Sequence, residues 1–365
     1  MKILIIEPYF TGSHKQWAEG YKRHSSHNIK ILSLKGQFWK WRMHGGAITL
    51  AKMFNAMDWL PDLIFATDML DLNTFLSLTR NKSNGIPTAI YFHENQLSYP
   101  WSPSDRDIKN KRDSHYGFIN YSSALAADKV FFNSEFHMKS FLDALNPFLK
   151  QFPDYQELET IDIIKEKSEV LFLGMDLTRF RKHILIKDSR PNILWNHRWE
   201  YDKNPQYFFR VLKRVKNESN DFGLVILGEN FSKSPKVFEE SKKEFVNQIV
   251  HWGYVDSFEE YAKWLWKSHI IPVTSNQEFF GVSVMEAMYC DVWPIVPNRL
   301  TYPELIPEIF HKNNIYKTEE GLFKKILWSI NNYNDIAQYN IASIPERFDW
   351  RLMSKEYDEK LEATL

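Results

Sequence analysis

HIIPVTSNQEFFGVSVMEAMYCDVWPIVPN, residues 269–298, sets the reading of the whole chain. HIIPVTS (269–275) is a short apolar run without polar alternation, the pattern of a strand buried on both faces. WPIVPN (293–298) is another, and the stretch after Gly281 between them is helix-forming. Strand, loop, helix and strand make one step of a parallel sheet. Glu278 and Glu286 are spaced E-x7-E, with the glycine between them.

The same alternation extends to both sides. Upstream, NILWNH (192–197), FGLVILGE (222–229) and QIVHWGYV (248–255) read as strands with helical stretches between. Nearer the N-terminus, KILII (2–6), NIKILSL (28–34), DLIFAT (62–67), TAIYFH (88–93), DKVFFNS (128–134) and SEVLFLG (168–174) repeat the pattern. Helical spacing occupies 13–24 and 47–57. The expectation is therefore α/β: two Rossmann-like domains in tandem, 1–180 and 181–345, facing across a cleft. The polar stretch 181–191 is expected as a hinge, and 346–365 as a helix crossing back to the first domain. Residues 143–164 have no clear place and read as an insertion between strands.

The chain has 365 residues, enough for two cores. Its hydrophobic fraction of 44% and charged fraction of 25% are those of a globular protein. Lys and Arg balance Asp and Glu at 46 each, which excludes a chain-wide basic field for nucleic acid. The first fifty residues nevertheless carry an excess of Lys and Arg, a local hint of an anionic partner or simply a solvated face. Cys290 is the single cysteine, so an intrachain disulfide is excluded. No secretory h-region or membrane-length apolar run is evident, and a cytoplasmic location is expected.

Ligands of parallel sheets bind at the C-terminal strand ends, and the motifs fall there. After HIIPVTS, Gly281 permits close backbone approach, and the helix start at Val282 and Ser283 offers free N–H groups to a diphosphate. Glu278 is placed for sugar hydroxyls and Glu286 for a ribose diol. Asn276, Phe279 and Phe280 complete the donor-binding set. After NILWNH, Arg198 and Lys203 are spaced to converge on a diphosphate and offset leaving-group charge. R-x4-K by itself is also an ordinary surface pattern. After TAIYFH comes His93-Glu94-Asn95-Gln96, with Glu94, Asn95 and Gln96 suited to recognising an acceptor or sugar. After the first strand, Gly12 and Ser13 are candidates for a phosphate or acceptor loop. Lys40, Trp41 and Arg42 interleave charge with rings, as a surface for unpaired bases does. Lys109, Lys111 and Arg112 form a second basic cluster. A solvated surface is the alternative for both clusters.

The 278–297 segment resembles the donor-site signature of retaining glycosyltransferases with the GT-B fold. The resemblance implies that Glu278 contacts the donor sugar and Glu286 the nucleotide ribose. It assigns Arg198 and Lys203 to the diphosphate and His93 to the cleft beside the sugar. The expectation of no metal and no cofactor rests on reading no D-x-D motif of the metal-dependent glycosyltransferases and no Asp/His cluster of ligand spacing; the acceptor is then expected to attack on the face the nucleotide leaves. A narrower resemblance rests on ILIIE (3–7), GSHKQW (12–17), KWRMH (40–44), YFHENQLSYP (91–100) and FFNSEFHMKSFL (131–142). These resemble the tRNA-queuosine mannosyltransferases, which implies GDP-mannose as donor and queuosine of a tRNA-Asp anticodon as acceptor. Two alternatives stay open. One is a lipid or polysaccharide acceptor, for which His14–His24 would serve as an amphipathic helix. The other is a non-catalytic nucleotide-sugar or RNA binder.

Overall fold

A computed structural model describes residues 1–101, 114–219, 221–228 and 235–365. The chain divides into two compact units, 1–175 with 350–365, and 176–349. The crossings therefore fall at 175/176 and 349/350, and 181–191, expected as a hinge, lies inside the second unit. There Lys187 Nζ donates to the carbonyls of Ser268 and Cys290.

The first unit holds a parallel sheet in the order β2-β1-β3-β4-β5-β6. Its strands are β1 (Lys2–Phe10), β2 (Asn28–Lys35), β3 (Leu63–Thr67), β4 (Thr88–Phe92), β5 (Lys129–Phe132) and β6 (Ser168–Val170). Apolar residues face both sides of β3 and β4, which are buried throughout, because helices cover both sheet faces. The segment 143–164 is no insertion. It ends one helix, Glu135–Leu149, and supplies most of a second, Thr160–Glu166, and the two form the crossover from β5 to β6. Ser134 starts the first of these by accepting a hydrogen bond from the N–H of His137.

The helix Trp350–Glu362 returns to this unit. Trp17 and Tyr21 of the helix Gly12–His24 are buried against Trp350 and Tyr357. Trp17 donates its indole N–H to Tyr357 Oη at 3.0 Å, and Tyr21 Oη donates to Asp358 at 2.8 Å. The apolar stripe of the 12–24 helix is thus consumed inside the unit, so the lipid-surface reading of His14–His24 loses its basis.

The second unit repeats the design in the order β12-β11-β10-β7-β8-β9. Its strands are β7 (Asn192–Trp195), β8 (Gly223–Ile226), β9 (Ile249–Trp252), β10 (Ile270–Pro272), β11 (Trp293–Pro297) and β12 (Ile315–Tyr316). The two-residue β12 has no counterpart among the expected strands, being too short to leave a pattern. Most strands are shorter than their apolar runs, because residues beyond the last paired position continue buried into the loops that build the sites.

Candidate active site

In the second unit the strand order reverses between β7 and β10, the position where open α/β sheets bind ligands. Asn196, His197 and Arg198 follow β7, and residues 273–281 follow β10. Helix Val282–Tyr289 begins at Gly281, whose φ of +95° is the left-handed conformation that glycine adopts without strain. The N–H groups of Val284 and Met285 bond to the Gly281 carbonyl at 3.0 and 3.1 Å. Those of Val282 and Ser283 precede the ladder and point out of the helix start.

Lys203 is 8% exposed. Its Nζ lies 3.0 Å from Asp202 Oδ2 and 3.3 Å from Glu278 Oε2, and donates to the Gln277 carbonyl at 3.1 Å. Burial opposes its charge, but Glu278 and Asp202 outweigh that and hold its proton more tightly than usual. His197 goes the other way: burial, then the Lys203 ammonium, lower it to about 4, so the ring is neutral. Its Nδ1 meets Ser283 Oγ at 2.8 Å, and Asn196 Nδ2 donates to the Ser283 carbonyl at 2.8 Å. The β7 end is thereby fastened to the helix start. Asn196 Oδ1, His197 Nε2 and Gln277 Nε2 are buried with no partner among the described residues. Such groups are costly unless a ligand or water completes them.

Arg198 is half exposed, with Glu200 at 3.3 Å. Glu286 is buried, accepting from Tyr261 Oη at 2.8 Å and Arg179 at 3.4 Å. Burial raises its affinity for a proton despite Arg179 and Tyr261. A carboxylate has about four lone-pair sites, so a ribose diol can still be accommodated. The side chains of Phe279 and Phe280 are buried, Phe280 against Phe348, and only their backbone is placed for a ligand. Asn276 Oδ1 accepts from Asn204 and Arg299, at 3.3 and 3.4 Å. Arg179, Tyr261, Asn196, His197 and Arg299 are not foreseen from the sequence, since no local pattern joins Arg179 to Glu286 across 107 residues.

In the first unit, Gly12 opens the 12–24 helix at φ +50° with Ser13 exposed beside it, and no side chain caps the turn. His93 follows β4. Its main-chain N–H donates to Asp68 Oδ1 at 2.8 Å, and its Nε2 is buried without a partner among the described residues. Asn95 is fully buried, and its Oδ1 accepts from the N–H groups of Leu97 and Ser98. Its side chain therefore shapes the loop. Gln96 donates to Glu94 Oε1 at 3.0 Å. Glu7, His14 and His93 bring donor atoms within 4.8 Å of one another. Their shortest contact is the hydrogen bond between His14 Nδ1 and Glu7 Oε2, which uses an atom of each on the other.

The helix Trp39–Asn55 starts at Phe38, whose φ is +54°. Phe38 is 75% and Trp41 63% exposed. The Trp41 ring lies on Gly45, where a Cβ would come within 2.7 Å of it. Lys40 is turned inward, over the rings of Trp39, Trp101 and Tyr116 at 5.2 to 5.9 Å. Arg42 Nε donates to the Lys35 carbonyl at 3.0 Å. Lys109, Lys111 and Arg112 lie outside the described residues. So does Asp105-Arg106-Asp107, a D-x-D triplet that the expectation of metal independence passed over. Among the described residues no helix is long and apolar enough to cross a membrane.

Two doubly wound parallel units in one chain are the fold of the GT-B glycosyltransferases. The sucrose-phosphate synthase of Thermosynechococcus elongatus superposes with a TM-score of 0.71 at 12% identity, covering 100% of this chain and 98% of that one. Anabaena HepE, solved with UDP and glucose, gives 0.67 at 15% identity, covering all of both chains. Residues 2–175 match the family described as tRNA-queuosine alpha-mannosyltransferase N-terminal, and residues 176–342 match Glycosyl transferases group 1. The tRNA-queuosine alpha-mannosyltransferase of Drosophila melanogaster is 35% identical over 356 residues, 95% of this chain and 88% of that protein. The chain is a glycosyltransferase and belongs to the tRNA-queuosine alpha-mannosyltransferase family.

Proposed function

We propose that this enzyme moves mannose from GDP-mannose to queuosine in a tRNA anticodon, with retention of configuration and without a metal ion, in the cytoplasm. The observation that carries the donor half is the constellation at the β7 and β10 ends. Lys203 and Arg198 supply charge, the helix start supplies N–H groups, and three buried polar atoms lack a partner among the described residues. In this reading the diphosphate takes Arg198, Lys203 and the Val282 and Ser283 N–H groups, Glu286 takes the ribose and Glu278 the sugar. The two cations and the helix N–H groups stabilise the negative charge that grows on the departing nucleotide. The first unit receives the acceptor. His93 meets a sugar hydroxyl, and Phe38, Trp41 and Arg42 hold the RNA. The likeness to the Drosophila enzyme supports the choice of mannose and queuosine.

The test is nucleoside mass analysis of queuosine-containing tRNA after incubation with the protein and GDP-mannose, with EDTA present. A hexose on queuosine alone, with an α-anomeric proton by NMR, is the expected result. Transfer that stops in EDTA rejects metal independence, and no transfer with proven nucleotide-sugar binding rejects the acceptor.

A further inference from the structure

Four ionisable side chains converge at the C-terminal ends of β1, β3 and β4 in the first unit. Glu7 is fully buried within β1. Its Oε1 accepts the Tyr9 N–H at 2.7 Å and its Oε2 meets His14 Nδ1 at 3.0 Å. The His14 ring lies against His93, with centroids 4.3 Å apart. His93 is boxed in further by the edge contacts of Trp17 at 4.7 Å and Tyr91 at 4.9 Å. Asp68 takes its main-chain N–H, and Asn133 Nδ2 donates to its carbonyl at 3.0 Å.

Two imidazoles in contact do not both carry charge at little cost, so the neighbours decide which holds the proton. Of the two, only His14 has a carboxylate among the described residues at hydrogen-bonding distance of its ring. We propose that Glu7 and His14 are positioning residues for His93: the pair keeps one proton on His14, and His93 stays neutral and fixed in orientation, its partly exposed ring available to a sugar hydroxyl. This rests on the reading that His93 meets a sugar.

The surrounding groups agree. Burial works against charge on His14, yet Glu7, Asp68 and Glu94 raise it to about 9. Burial pushes His93 well below the ordinary histidine value, and the positive charge of His14 pushes it further. Asp68 is itself raised by burial, against the pull of His14. His137, on the 135–149 helix, is neutral by burial and bonds Asn133 Oδ1 at 2.8 Å. Of the two rings in contact, His14 is therefore the one that carries the extra proton at neutral pH.

The experiment is a pH titration of the histidine side-chain 15N resonances in the full chain, as wild type, Glu7→Gln and His14→Gln. It is paired with kcat/KM against pH for GDP-mannose and queuosine tRNA. In the wild type, His14 is expected as imidazolium and His93 as neutral at pH 7. In His14→Gln, His93 should titrate about one pH unit higher. The acid limb of its kcat/KM profile should move up by the same one pH unit, while kcat/KM at pH 8 stays within about threefold of wild type. Glu7→Gln should shift the same acid limb. A merely structural role would depress the rate equally at all pH values, and that result overturns the proposal. A neutral His14 at pH 7 in the wild type overturns it too, whatever the variants do. Histidine states as expected, with no sugar transfer at any pH, leave the pair standing and sink the reading of His93.

Discussion

Lys203 and Glu278, 75 residues apart, meet with Nζ and Oε2 at 3.3 Å. On the proposed donor reading, an arriving diphosphate competes for that ammonium, and the carboxylate it displaces becomes available to the sugar. Donor binding and the arming of Glu278 are then one event. Lys203→Ala should cost on the order of 2–4 kcal/mol in transition-state stabilisation, a loss of about 30-fold to 10³-fold in kcat/KM. It should also lower Tm, because Asp202 is left buried beside a vacated charge. Steady-state kinetics and calorimetry on the same sample check both.

Arg198 separates the two effects. Its side chain is half exposed and its partner Glu200 is partly exposed, so the pair adds little to stability. Arg198→Ala should lose about 10²-fold in kcat/KM with Tm unchanged. An equal loss of Tm would show a structural role instead.

Glu286 is held by Tyr261, so Tyr261→Phe is the gentler probe of the ribose assignment. Its expected effect is a KM for the donor raised about threefold to tenfold with kcat nearly constant, the mark of lost uniform binding. A fall in kcat alone would move Glu286 away from the ribose.

For the proposed RNA surface, Phe38→Ala and Trp41→Ala should each weaken tRNA binding by about 1–3 kcal/mol and leave donor binding intact. Lys40→Ala should act on stability, since its ammonium lies over three rings. Arg42→Ala should reduce the salt dependence of binding by about one phosphate contact. Binding titrations between low and physiological salt distinguish these outcomes.

Acid should destabilise the second unit. His197 and His269 are both lowered to about 4, first by burial and then by a neighbouring lysine. A histidine whose folded value is depressed adds stability that is present above about pH 6.5 and lost as pH falls toward 4. Each contributes on the order of 2–3 kcal/mol over that window. His197→Gln should flatten the fall in Tm between pH 6.5 and 4.5.

Much of this was legible in the sequence because parallel strands buried on both faces leave continuous apolar runs, and a loop glycine between two glutamates marks a strand-to-helix turn. The pairing of Arg198 and Lys203 with E-x7-E was visible as order along the chain. Invisible were contacts made by topology alone. Glu7, His14, Asp68 and His93 come from separate segments with no shared spacing, and Arg179 reaches Glu286 from a 3-10 turn. Phe38 and Trp39 are adjacent letters, yet the left-handed turn at Phe38 sends one ring to solvent and leaves the other packed on Tyr116. Burial of that kind is settled by packing, which no periodicity records. The helix Trp39–Asn55 begins well before its expected start because its first turn pairs aromatic with basic residues and carries no apolar stripe.

The return of the helix Trp350–Glu362 has a consequence for biogenesis. Trp17 and Tyr21 leave the ribosome ahead of the second unit, but Trp350 and Tyr357, which pack on them, are made only after that unit is complete. Of the two units, the one begun first is thus finished last, and until then a Trp and a Tyr that belong in a core lack part of their cover. Nascent chains stalled before residue 350 should bind chaperones through this face, while chains long enough to release residue 362 should not.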